Sequence, residues 1–121
     1  MRNGFKKILP FALPMLYWWP ALVTADEAAA EIEYLLAALG QSECTFIRNG
    51  KEHSAVDAES HLRMKYERGR KHVDSAEQFI DRLASESSWS GKPYYIQCPG
   101  EDRQKTGAWL SQRLAQYSAE K

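Results

Sequence analysis

The sequence predicts a small single domain of the α+β class, a short antiparallel sheet packed against helices in the order α-ββ-α-α-β-α. Three observations carry that reading. Apolar residues recur at helical period in four separate stretches. An Asn49-Gly50 pair follows the alternating run Cys44, Phe46, Arg48, and this dipeptide supplies the two positive-φ residues of a tight hairpin turn. A third aromatic-rich segment, Tyr94-Tyr95-Ile96, is closed by Pro99-Gly100 and reads as a strand.

From Asp26 to Leu39, Ile32, Leu35, Leu36 and Leu39 fall on one helical face, and Gly40 suits the position just past a helix end. Residues 44 to 55 form the hairpin. Asp57 caps the second helix, where Ala58, Leu62, Tyr66, Gly69 and Val73 make one core-facing stripe unless Gly69 ends the helix first. Ser75 with Gln78 forms a capping box, followed by the apolar face of Ala76, Phe79, Ile80, Leu83 and Ala84. The serine-rich stretch from Ser85 to Gly91 is a loop leading to the strand that ends at Cys98. After a polar linker, Leu110, Leu114 and Tyr117 mark a C-terminal helix.

Residues 1–25 read as a cleavable signal peptide, leaving 26–121 as the mature domain. Arg2, Lys6 and Lys7 form a basic start, and the uncharged run from Ile8 to Val23 is broken by Pro10, Pro14 and Pro20. That run is too short and too interrupted for a permanent membrane anchor, so no stable anchor is expected after cleavage. Val23-Thr24-Ala25 place the cut after about Ala25, with no lipoprotein cysteine and no twin arginine. The expected route is general secretion and the expected location the periplasm. The leader takes three of 16 basic residues and none of 16 acidic ones, so the mature chain is acidic, near −3. Nucleic-acid binding, which rests on neutralising phosphates, is set aside.

Cys44 and Cys98 both fall in the exported part, where an oxidising compartment permits a disulfide. Their spacing is unlike the C-x-x-C pair of a redox dithiol, so a structural staple is favoured over free thiols or catalysis.

The blocks Arg48-Asn49-Gly50 with Glu52-His53, Ser60-His61-Leu62-Arg63 with Lys65, Ala76 to Asp81, and Ser90-Gly91-Lys92-Pro93-Tyr94 follow one another across residues 48 to 94. In these blocks the mature chain resembles the YfeK-like family of small exported bacterial proteins of unassigned function. The resemblance implies an address and a fold without an activity. The cysteine pair lies outside the pattern of that family, which agrees with an added staple.

Motifs for chemistry are sparse. Ser88-Trp89-Ser90-Gly91-Lys92 lacks the first glycine of a nucleophile elbow, and Pro93 stands where a phosphate loop needs a hydroxyl. The serines Ser85, Ser87, Ser88 and Ser90 read as turn formers. His53, His61 and His72 show no zinc-ligand spacing, and neither a metal nor a cofactor is expected. One constellation stands out: on an unbroken second helix His61, Lys65, Arg68 and His72 lie within about 60° of one another, a cationic band beside the core stripe. The favoured reading is a solvated face, since Gly69 can end the helix and charges at this density face water; the alternative is an anion- or partner-binding site. Trp89 and Trp109 are further candidates for a binding surface, or else core. The favoured function is a non-enzymatic periplasmic module that binds a partner protein or an envelope component. The alternative is a small hydrolase or transferase joining His61 and Lys65 to the Ser87–Tyr94 loop, with Ser88, Ser90, Lys92 and Tyr94 as its loop candidates.

Overall fold

The computed structural model describes residues 23–121. All but the last three residues of the proposed signal peptide lie outside the described residues. The first helix, α1 (Ala25–Gly40), starts one residue before the expected cleavage point, with Thr24 as its cap; Thr24 Oγ1 accepts from the Glu27 N–H at 3.1 Å. It ends one residue later than predicted. Gly40 stays helical, and the closing bond runs from the Gln41 N–H to the Ala37 carbonyl at 3.0 Å.

The hairpin is β1 (Thr45–Arg48) and β2 (Lys51–His53), antiparallel, with Phe46 opposite His53 and Arg48 opposite Lys51. Asn49 at φ 51 and Gly50 at φ 78 make the turn, both in the left-handed region that Asn and Gly tolerate best. The second helix, α2 (Ala55–Gly69), begins earlier than Asp57 because Ser54 captures the start: its Oγ accepts from the Asp57 N–H at 3.1 Å. Asp57 therefore sits in the first turn, where its charge still favours the helix N-terminus. Gly69 does end α2, and Arg70–His72 continue as one 3-10 turn.

Ser75 caps α3 (Ala76–Phe79) as predicted, but the Gln78 side chain reaches back to the residue before the cap rather than to the Ser75 N–H of a full capping box. Ser75 Oγ accepts from the Gln78 N–H at 3.1 Å, and Gln78 Oε1 accepts from the Asp74 N–H at 2.8 Å. The helix then widens into a π-helical segment, Ile80–Ala84, closed where the Ser85 hydroxyl donates to the Ile80 carbonyl at 2.6 Å.

The strand β3 (Tyr95–Gln97) pairs antiparallel with β1, and Pro99-Gly100 turns the chain back, with Gly100 at φ 74 and the Glu101 N–H bonded to the Cys98 carbonyl. The supposed polar linker contains a further short strand, β4 (Gln104–Lys105), which gives a four-stranded sheet in the order β2-β1-β3-β4. Two polar residues carry no alternation of their own, so only pairing with β3 reveals them as a strand. The final helix is α4 (Thr106–Ala119).

Helices and sheet share one core. Ile32, Leu35, Leu36 and Leu39 of α1 meet Leu62 of α2, Phe79, Phe46, Tyr94 and Ile96, with Trp109, Leu110 and Leu114 of α4 completing it. Trp109 is thus core, and the Arg113 guanidinium lies 4.7 Å from its ring centre. Tyr117 stacks on Tyr34 with ring centres 4.4 Å apart. Thr45 lies opposite Gln97, which places Cys44 opposite Cys98 one step further along, and the two are disulfide-bonded. The staple therefore joins the ends of β1 and β3.

Candidate functional site

The hairpin turn and the serine loop are built against each other. Asn49 holds both: its Nδ2 donates to Ser87 Oγ at 3.4 Å, and its Oδ1 accepts from the Ser90 hydroxyl at 2.5 Å. Ser87 is buried, and its Oγ accepts from the backbone N–H groups of Trp89 and Ser90, both at 3.2 Å. The Ser87 N–H and carbonyl also close bonds to the Lys92 carbonyl and the Gly91 N–H, each at 2.9 Å. The loop hydroxyls thus hold backbone, as local side-chain bonding predicts for serine. What the loop presents outward is Trp89, 90% exposed.

Behind that loop, α2 and Tyr94 form a second group. Tyr94 is 1% exposed, and its hydroxyl accepts from Lys65 Nζ at 3.1 Å and meets His61 Nε2 at 3.2 Å. Lys65 Nζ donates also to the Glu86 carbonyl at 3.1 Å. An ammonium only donates, so the Tyr94 hydroxyl proton is available to His61 Nε2. That arrangement requires a neutral His61 protonated on Nδ1. The electrostatics agree. Burial, then the charges of Arg48 and Lys65 and the His53 ring, push His61 down to about 4. Burial also lowers Lys65, with Glu86 opposing and Arg48 adding to the fall. Burial raises Tyr94, partly offset by Arg48, so its phenol stays protonated at neutral pH.

These two groups enclose an open cleft of about 540 Å³. His61, Lys65 and Arg68 of the predicted band line it, together with Ser88 and Tyr94 of the predicted loop. His72 does not. The helix ends at Gly69, and His72 sits on the 3-10 turn, where its carbonyl accepts from Arg82 at 2.7 Å. Ser90 and Lys92 are exposed beside the cleft without lining it. A cleavage-type arrangement is not formed either, because the His61 Nε2 bonded to Tyr94 has no hydrogen bond to a serine.

Arg48, Met64 and Leu83 also line the cleft, and sequence reasoning did not select them. Arg48 comes to the site through the turn, Met64 from an exposed position of α2, and Leu83 from the π-helical segment. Leu83 reaches the cleft because Gly69 lets it approach: a Cβ on Gly69 would stand 3.1 Å from a Leu83 methyl. Only the block Arg48-Asn49-Gly50 hinted at the first of these.

The charge of the cleft is one-sided. Arg48, Lys65 and Arg68 line it with His61; no carboxylate residue does, and the nearby carboxylate that acts on a lining cation is that of Glu86, beside Lys65. Among the described residues the ion pairs are Arg63 with Glu33 at 2.8 Å and Arg63 with Glu59 at 2.7 Å, so none of the cleft cations is so paired. No group of three His, Cys, Asp or Glu side chains among the described residues is placed to hold a metal ion.

Residues 26–118 match the family described as a family of unknown function (DUF5329). An uncharacterized protein YfeK of Salmonella typhimurium is 44% identical over 91 residues, which cover 74% of this chain and 76% of that relative. No solved structure matches.

Proposed function

We propose, for this chain that belongs to the DUF5329 family of unknown function, a non-enzymatic binding role outside the cytoplasm, with the cleft between α2 and the serine loop as the site of an anionic group. The observation that carries the reading is the set Arg48, Lys65 and Arg68 around one cleft without a carboxylate. The charge of Arg48 already acts on Lys65 and on His61, and an anion in the cleft relieves that repulsion. Arginine adds planar, forked donors suited to carboxylate or phosphate. The ligand is an acidic group of an envelope component or of a partner protein.

Export rests on the leader-like residues 1–25 and on the Cys44–Cys98 disulfide, a bond that persists in oxidising compartments such as the periplasm. Among the described residues no helix is long and apolar enough to cross a membrane. The hydrolase or transferase alternative gains no support from the geometry, since His61 serves Tyr94 and Ser87 serves the loop backbone.

Thermal unfolding of the exported protein in inorganic phosphate, against chloride at equal ionic strength, tests the role. A ligand at 100 times its dissociation constant stabilises by about 2.7 kcal/mol, which for a domain of this size raises Tm by about 10 °C or more. The rise is expected in the native protein and absent in Arg48→Ala/Arg68→Ala. Equal rises in both would contradict the site, and no rise in either would contradict anion binding.

A further inference from the structure

Trp89 is the least economical residue on the surface. Its indole is 90% exposed, yet the loop that carries it is fixed by the two backbone bonds to Ser87 Oγ and by the Asn49 bridge to the hairpin. One exposed ring alone marks nothing, but on a loop whose backbone is held in place beside a cationic cleft it offers that cleft an apolar face. It also stands between two recesses. With Arg48 and Asn49 it lines the cleft already described and a second one of about 370 Å³, to which the hairpin adds Lys51 and His53. The His53 Nε2 is buried and has no hydrogen-bond partner among the described residues.

Resting on the anion-binding reading above, we propose that the two recesses form one continuous site for an acidic oligosaccharide, with Trp89 as the stacking platform between two sugar subsites. Each part of such a ligand has a counterpart. The C–H face of a pyranose packs on an indole face, which gives the exposed ring an occupant. Carboxylates on successive sugars meet Lys65 and Arg68 on one side and Lys51 on the other, with Arg48 shared between them. Ring hydroxyls find the Asn49 amide and the Ser88 hydroxyl at the rim. A lipid surface fits less well. The exposed large apolar side chains among the described residues are Val23, Val56, Met64 and Trp89, of which only Met64 and Trp89 line the cleft, too little to insert into a bilayer.

Isothermal titration of the exported protein with trigalacturonate, galacturonate, neutral maltotriose and phosphatidylglycerol vesicles at low ionic strength separates the outcomes. Trigalacturonate is expected to bind at least ten-fold more tightly than galacturonate, and maltotriose and vesicles not to bind. Trp89→Ala and Lys51→Ala, both at exposed positions and checked for unchanged Tm, should each weaken trigalacturonate at least ten-fold. Lys51→Ala should leave galacturonate within two-fold. Equal affinity for the monomer and trimer, binding of maltotriose, or native-like trimer binding by either variant overturns the proposal. So does binding to vesicles alone. If neither uronate binds while phosphate still raises Tm, this proposal fails and the anion site stands; if phosphate fails too, both fall.

Discussion

At the scale of single residues the site depends on proton placement. The chain of donors from Lys65 to Tyr94 to His61 requires a neutral imidazole, and burial beside Arg48 and Lys65 supplies one by holding His61 at about 4. The unfolded chain, with His61 near 6.5, binds the proton more readily. This contribution to stability is therefore present above about pH 6.5 and is lost as pH falls toward 4. Urea titrations across that window should show stability falling in the native protein and falling less in His61→Gln; parallel curves would contradict the assignment. An anion in the cleft favours the imidazolium, so NMR titration of the His61 ring should show its pKa rising when phosphate is bound. Tyr94→Phe removes the acceptor of Lys65 and the partner of His61, leaving two part-buried polar groups unmet, and should cost about 1–3 kcal/mol in denaturant unfolding. A change below about 0.5 kcal/mol would show that the hydroxyl is a bystander.

At the scale of elements, local signals dominate where they are strong. Ser75 with Gln78 and Asn49-Gly50 are legible because cap and turn chemistry lies within four residues of sequence. Asp57 was the wrong cap because Ser54, three residues earlier, competes for the same helix start and captures it. The strand Gln104–Lys105 and the π-helical Ile80–Ala84 exist through pairing and packing that no local pattern encodes. The same division holds for the site. Lys65 and Arg68 were legible as a helical band, whereas Arg48 and Leu83 arrive from other elements, and His72 left the band when Gly69 ended the helix. Two element-scale outcomes follow. The bond between β1 and β3 closes a loop of 54 residues, worth up to roughly 4 kcal/mol in the chain-entropy account. Cys44→Ser/Cys98→Ser should therefore keep the fold by circular dichroism while its denaturation midpoint drops sharply; an unchanged midpoint would show that the staple adds nothing. A chain cut after Ala25 would lack the Thr24 cap of α1, so a chain starting at Val23 should be about 1 kcal/mol more stable than one starting at Asp26.

At the scale of the whole molecule, opposite demands fall on different places. Residues 26–121 carry a formal charge of −3, yet the cleft is lined by Arg48, Lys65 and Arg68 and by no carboxylate residue, so the lining runs against the net charge. A cationic patch on an acidic body attracts an anion to one place rather than everywhere. The proposed export has its own test: intact-mass analysis of the protein recovered from a periplasmic fraction should show a chain beginning near Asp26, and recovery with Met1 from the cytoplasm would contradict it. The central claim is that the cleft is the anion site, and amide and side-chain chemical-shift mapping with inorganic phosphate tests it most directly. The account predicts saturable shifts confined to Arg48, Asn49, Lys65, Arg68 and the Trp89 indole N–H. Shifts spread over the surface, or centred on Arg63 and α4, would contradict it.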